Sequence, residues 1–504
     1  MDFEKVTNAS TQFEVVDESP KETPQPEDSQ TIWQEIKNNP RVIAYSVLAN
    51  SGSLAFGFDI LVTGAITALP SFSMTFGEQY NGRLILPALW QGLWTAFIQL
   101  GIMIGAAGSG AFQDRFGRRL AFGLGGLVSA IGAHQYASRG DAHFLFSKIV
   151  TGAGIGGLMT TCQTYVSEIS PVRLRGVLLT VFPFAVSIGQ LIAITLVFSR
   201  IMVLDISSFK IPFAAQWGFS GLALISAILI PESPVSLMAR SKSDEARKAF
   251  NRLHGRRTDV NLVLDKIQAI LDHEKAQETS AGNASFAECF KGTNLRRTLI
   301  IVLVALLQYF LGVSLLANAN YFLIIAGMSP TQSLQISQIG VGVQIVAIAI
   351  ACVTMTVFGR RLIVLWSCMA TGAVFVAMGA AGFIGVSILL VGTIASLGVG
   401  ATWPVLIVEL SSVRLRARSS AIGFMTNALA GVVFSISVPY MFNADAGNLG
   451  GKIGFIFAAL SFLGFGLTWL FLPETKAKSY EELDYLFEMR SSARKFRRAE
   501  YEES

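Results

Sequence analysis

Residues 116–119 read Phe116-Gly117-Arg118-Arg119, and 242 positions later residues 358–361 read Phe358-Gly359-Arg360-Arg361. Three further matches fall within one residue of the same spacing. Glu168 followed by Arg175 recurs as Glu409 followed by Arg416. Val172-Arg173-Leu174-Arg175 recurs as Val413-Arg414-Leu415-Arg416, and Pro231-Glu232-Ser233 as Pro473-Glu474-Thr475. Self-similarity at one long period marks a duplicated unit. The chain is therefore read as two copies of one architecture, joined in tandem.

Between and around these motifs lie twelve apolar stretches, at residues 42–69, 84–110, 120–138, 143–167, 177–199, 213–230, 298–326, 334–358, 362–384, 386–409, 419–441 and 453–472. Each is long enough to cross a bilayer as a helix, which takes about 17–25 residues. Helices are required there because backbone groups in lipid must find partners within their own segment. Six stretches per copy, an even number, give both copies the same orientation, a parallel repeat about an axis along the membrane normal. The expected organisation is an acidic disordered segment 1–40, a six-helix bundle 41–230, a polar linker 231–297, a second bundle 298–472 and a tail 473–504.

Composition agrees. Of 504 residues, 52% are hydrophobic and 14% charged, against about 25% charged in ordinary soluble domains. A soluble multidomain enzyme is excluded, since so few charges could not cover its surface. Net charge is +5, yet residues 1–40 carry nine acids and three lysines. The remaining positive excess sits in alternate loops: Arg115, Arg118 and Arg119; Arg173 and Arg175; Arg360 and Arg361; Arg414, Arg416 and Arg418. The positive-inside rule places these loops, the linker and both termini in the cytosol. No basic stripe interleaved with exposed aromatics suggests nucleic acid. The cysteines, Cys162, Cys289, Cys352 and Cys368, form no C-x-x-C pair and imply no metal site. No basic-then-apolar leader opens the chain, so no cleaved signal is expected. Asn8 and Asn283 match the glycosylation pattern but fall on the cytosolic side.

The linker has helical signals. Ser243-Asp244-Glu245 reads as an N-cap with acids in the first turn, and Val260, Val263, Ile267, Ile270 and Leu271 share one face. The glycines Gly101, Gly105, Gly108, Gly110, Gly152, Gly154, Gly156 and Gly157 read as close helix contacts. Without a P-loop lysine they do not cradle phosphate, which disfavours an ATP-driven pump. No nucleophile–base pair points to an enzyme.

Ionisable residues deep in a span mark function. Asp59 in span 1 and Lys148 in span 4 stand roughly 27 and 30 Å from the basic side, at 1.5 Å per residue. Opposite charges at one depth predict a pair, and a carboxylate that gains a proton when its partner withdraws is a proton carrier. A permanent salt bridge is the plainer alternative. Gln190, Gln308, Ser314, Asn318, Asn320 and Asn427, with Trp403, offer amides, a hydroxyl and an aromatic face suited to a neutral polyol. At the basic side, Asp114, Arg115, Arg118, Arg119, Glu168, Arg175, Arg360, Glu409 and Arg416 read as a latch between the halves. The alternative there is simple anchoring of helix ends.

With these motifs, the chain resembles the sugar porter family of the major facilitator superfamily, from about residue 42 to 488. The resemblance rests on Gly108 through Arg119, on Glu168 to Pro171 with Arg175 and Gly176, and on Pro231-Glu232-Ser233-Pro234 and Pro473-Glu474-Thr475-Lys476. Gly189-Gln190-Leu191-Ile192-Ala193, Gln308, Gly312, Ser314 and Tyr321-Phe322 make it similar to the fungal maltose and general α-glucoside permeases. The resemblance implies an all-α, twelve-helix membrane carrier working by alternating access, with proton symport and no cofactor beyond the proton gradient. It also implies that Asp59 matches the proton-coupling aspartate and that Gln190 and Gln308 match sugar-binding glutamines. Some positions depart from the family pattern: Lys148 stands for Arg, Tyr309 for a second Gln, Gly431 for a binding Asn, Pro404 for an aromatic and Thr356 for Asp.

The resulting expectation is a plasma-membrane carrier, functional as a monomer, taking up a hexose or an α-glucoside such as maltose with protons. Two alternatives stand beside it: a carrier or exporter of a glycosylated or polyol-like metabolite on the same fold, and a non-transporting sugar sensor.

Overall fold

The computed structural model describes residues 36–489, apart from 135–139, 255–259, 266, 270–271, 273–285, 412–414 and 477–479, together with 492–493 and 496. Most of the acidic segment 1–40 and the face positions Ile270 and Leu271 lie outside the described residues. The chain is an all-α bundle. Its membrane helices are α1 (Pro40–Ile66), α2 (Ala88–Phe116), α3 (Arg118–Gly132), α4 (Asp141–Ile169), α5 (Val172–Phe198) and α6 (Ser207–Leu229) in the first half. The second half has α7 (Gly292–Phe310), α8 (Pro330–Phe358), α9 (Arg360–Ala381), α10 (Ile384–Leu397, continued by Val399–Leu410), α11 (Arg416–Phe442) and α12 (Ile453–Phe471). Eleven spans are long and apolar enough to cross a membrane by length and composition; α3, at 15 described helical residues, is the shorter twelfth.

Local sequence explains the helix ends. Helix α8 opens on a capping box, with Ser329 and Gln332 satisfying each other's backbone amides and Pro330 in the first turn. Helix α7, read from sequence as one span, is broken: Gly312 takes φ +80°, and two short helices, Val313–Ala317 and Ala319–Ile325, complete the crossing. Only a residue without a Cβ fits there, since a Cβ on Gly312 would stand 2.7 Å from the Phe375 ring.

Close backbone contact builds the first half. A Cβ on Gly105 or Gly156 would collide with the carbonyl of Ala153 or Ile102, so α2 and α4 meet almost backbone to backbone. Gly108 and Gly110, expected to serve the same contact, face open space. Between α1 and α2 runs a two-stranded hairpin, β1 (Glu78–Tyr80) and β2 (Arg83–Ile85), turned by Asn81-Gly82 with both φ values positive. In the linker, Pro234–Ala239 and Ser243–His254 are helical, and Leu237, Met238, Ala246, Ala249 and Leu264 pack together with Val260 and Ile267.

Candidate functional site

Three helices of the first half meet at a buried charge. Asp59 on α1 and Lys148 on α4 are 1% and 0% exposed. Lys148 Nζ lies 3.5 Å from Asp59 Oδ1 and donates to Thr63 Oγ1 at 2.6 Å. Gln216 on α6 donates its amide to the same Asp59 oxygen. Asp59 Oδ2 has no hydrogen-bond partner among the described residues. The ammonium also sits over two rings, 5.4 Å from Phe144 and 5.2 Å from Phe213, positions that favour a cation. Phe72, Phe76, Trp94 and Phe209 extend this aromatic surround and exclude water from it. The cluster thus holds one carboxylate oxygen in two contacts and leaves the other open to accept a proton. The pairing of Asp59 with Lys148 was legible in their matching depths. Thr63 and Gln216 were not, because neutral side chains at those places carry no signal of their own.

The neutral amides lie mainly in the second half. Asn427 on α11 donates to the Ala305 carbonyl at 3.0 Å and to Gln308 Oε1 at 3.1 Å, joining α11 to α7. Gln190 on α5 is half-buried, and its Oε1 has no partner among the described residues, an acceptor left for a ligand or water. Ser314 and Asn318 sit at the break in α7. Both are buried, and the Asn318 amide bonds the Ser314 carbonyl at 3.0 Å, stitching the broken α7. Asn320 accepts from Ser333 and Ser337 and fastens α7 to α8. Trp403 packs edge-on to Phe424, 5.5 Å between rings, against the apolar cluster of α7, α10 and the short helix Tyr480–Glu488.

At the end of the bundle that carries the arginine motifs, each half builds the same clamp. The first two amides of α3, Arg118 and Arg119, donate to Glu232 at 2.8 and 3.2 Å. Those of α9, Arg360 and Arg361, donate to Glu474 at 3.0 and 3.3 Å. A carboxylate on a helix N-terminus satisfies orphan donors and opposes the helix dipole. The second arginine of each motif then caps another helix's last carbonyls: Arg119 takes those of Ala227 and Ile228 at the end of α6, and Arg361 that of Trp469 near the end of α12. The first arginine reaches the conserved-spacing glutamate, Arg118 to Glu168 at 2.7 Å and Arg360 to Glu409 at 3.1 Å. Asp114 adds a 3.4 Å pair to Arg118, while Arg115 is exposed over the Phe116 ring. These described pairs each lie within one half, not across the halves as a latch would. The side chains of Arg175 and Arg416 lie outside the described residues.

The halves are joined at the opposite end. The Leu86 amide donates to Tyr321 Oη at 2.8 Å, and the Leu86 carbonyl accepts from Asn443 at 2.7 Å and from Gln91 at 2.8 Å. Asp445 accepts from the Ala88 amide at the start of α2 at 3.1 Å, and Gln338 on α8 bonds Thr195 on α5 at 3.2 Å. The hairpin delivers Leu86 to this clasp.

Comparison with known proteins follows the same lines. Residues 45–487 match the family described as Sugar (and other) transporter. The chain is 32% identical over 496 residues to the MFS transporter fmqE of Aspergillus fumigatus, covering 94% of this chain and 92% of that one. It is 27% identical to the general alpha-glucoside permease of Saccharomyces cerevisiae, over 93% of this chain and 79% of the relative. In three dimensions it overlays the partially occluded, inward-open xylose transporter XylE of E. coli with a TM-score of 0.73, at 21% identity, covering 87% of this chain and all of that one. The proton:xylose symporter XylE bound to 6-bromo-6-deoxy-D-glucose gives 0.71 at 22% identity, over 89% of this chain and all of that one.

Proposed function

The chain belongs to the sugar (and other) transporter family, and from that premise we propose that it couples the entry of a proton to uptake of a sugar or similarly hydroxylated solute across the plasma membrane. The observation that carries the reading is the Asp59–Lys148–Gln216 cluster. It presents one open carboxylate oxygen inside a water-excluding aromatic surround.

The mechanism runs as follows. Proton uptake at Asp59 Oδ2 cancels the charge that holds Lys148 and loosens α1 from α4. The freed helices then rock one half on the other. Gln190, Gln308 and Asn427 bind hydroxyls, their amides serving as donors and acceptors. The arginine-bearing end faces the cytosol with both termini, and the hairpin end faces outward. At 100 mV, one co-transported charge contributes about 2.3 kcal/mol to accumulation. Arg118, Arg360, Glu168 and Glu409 would exchange partners across the halves when the inner ends close.

The test is uptake of labelled glucose and maltose in yeast cells stripped of their own carriers, at external pH 5 and pH 7.5. Saturable uptake that is faster at pH 5 and no longer uphill in Asp59→Asn is expected. Uphill uptake persisting in Asp59→Asn would overturn the coupling assignment.

A second reading has support of its own. The pocket positions depart from the family pattern at Tyr309 and Gly431, and a relative of 32% identity is an MFS transporter whose name specifies no sugar. The cargo then is a glycosylated or polyol-like metabolite. Absence of glucose and maltose uptake, with the protein shown at the cell surface, would select it.

A further inference from the structure

Tyr309 and Gly431 meet. A Cβ built on Gly431 would stand 2.6 Å from Tyr309 Oη and 3.2 Å from its Cζ, so the phenol occupies the space a side chain at 431 would need. The same point lies 3.4 Å from Gln99 on α2, which belongs to the other half. The Tyr309 ring stacks on Phe434, three residues beyond Gly431 on α11, at 5.8 Å and 29°. Phe434 continues to Phe310 and Phe457 at 6.4 and 6.5 Å. One turn before Gly431, Asn427 bonds Gln308, the residue preceding Tyr309. Along α11 the wall therefore changes within two turns from amide to gap to aromatic ring, and α7 changes in step from Gln308 to Tyr309.

We propose that Tyr309 and Gly431 form a specificity-determining pair that selects a cargo with a hydroxylated end and a flat apolar or aromatic end. This deepens, and rests on, the reading of the chain as a carrier of hydroxylated solutes. Hydroxyls are met at the Gln308–Asn427 rung. The next rung offers ring surface, which stacks on another flat group, and a single phenol hydroxyl where two amides would offer several donors and acceptors. Gly431 is what makes this possible: any larger residue displaces the phenol, and a phenol this deep leaves no room for a second amide. A fully hydroxylated sugar spanning both rungs would bury more hydroxyls than the one phenol can partner.

The experiment is equilibrium binding of glucose and of 4-nitrophenyl α-glucoside to the purified full-length chain in nanodiscs. A stack of this kind is worth about 0.5–1.5 kcal/mol, so the aryl glucoside should bind about 2- to 12-fold tighter than glucose. Tyr309→Gln combined with Gly431→Asn should bring the ratio near unity. Phe434→Leu, which leaves the fit at Gly431 alone, should lower it in the same direction and covers the case where the double variant does not fold. Equal binding of both ligands by the parent chain, or a ratio unmoved by both variants, overturns the pair's role and leaves the carrier reading standing. Binding of neither ligand overturns both.

Discussion

The two halves share their clamps and differ in their interiors. In both, a left-handed glycine turns the chain, a glutamate from the far end of the half caps the next helix, and paired arginines tie down two neighbours. Inside, the first half buries a charged cluster at Asp59, Lys148 and Gln216, whereas the second joins neutral amides at Gln308 and Asn427 beside an aromatic column. Duplication thus kept the parts that hold helix ends and let the two interiors diverge. The clamps are also unequal in depth. The Arg118 side chain is 10% exposed and serves two carboxylates, the Gln113 carbonyl and Ser236, while Arg360 is 23% exposed and pairs with Glu409.

The sharpest way to break the comparison is Lys148→Ala. It strands a buried carboxylate in the first half and should cost about 3–5 kcal/mol, the expense of breaking a buried pair from one side. Thermal unfolding in detergent measures it, and Asn427→Ala, in the neutral interior, should cost no more than about 1–2 kcal/mol. Next come the glycine turns. Gly117→Ala and Gly359→Ala both force a Cβ onto a left-handed backbone and toward Glu232 or Glu474, at 2.5 and 2.7 Å. Each should cost about 1–3 kcal/mol; equal losses sharpen the equivalence of the clamps, and a loss in only one would break it.

Arg118→Lys against Arg360→Lys separates the two depths. Lysine keeps the charge and loses the fork, so the first should lower stability by about 2 kcal/mol and the second by about half that, given its greater exposure. Thr475→Val removes the hydroxyl that donates to Glu409 at 2.5 Å. A hydrogen bond to a charged group is worth about 1.5–3 kcal/mol, and this one, from a buried hydroxyl to the partly buried Glu409, should fall within that range.

The smallest effect concerns pH. Burial beside Phe250 and Asn39 holds His254 below its ordinary value of 6.5, so the folded state favours neutral imidazole. Its contribution is intact above pH 6.5 and declines as pH falls below that, because the unfolded chain gains a proton first. His254→Gln should flatten the stability profile between pH 7 and 5.

Much of the fold was legible because its signals are collective. Twelve apolar runs, alternating arginines and a repeat near 242 residues reinforce one another. The break in α7 was not, since one glycine in a long apolar run costs little in pattern; its turn is fixed by Phe375, 63 residues away. The hairpin was signalled by Asn81-Gly82 between Tyr80 and Arg83, a short-range cue outweighed by the apolar runs beside it. In the site, charge made Asp59 and Lys148 stand out. An amide in a span is the same letter whether it serves a cargo or a neighbouring carbonyl, so the bond from Asn318 to the Ser314 carbonyl was not legible. Tyr309 and Gly431 were visible as departures, but only their meeting in space turns two oddities into one exchange.

The Leu86 clasp has a consequence for speed. The Leu86 carbonyl held by Asn443, with Tyr321 on the adjoining amide and Asp445 seated at the start of α2, ties together the ends opposite the arginine motifs through polar bonds. Water replaces each bond once it is broken, so the equilibrium between the two faces is shifted little. The barrier between them is raised. In the carrier cycle proposed above these bonds must break each time the ends part, so shortening the hairpin should quicken turnover and leave the attainable gradient unchanged.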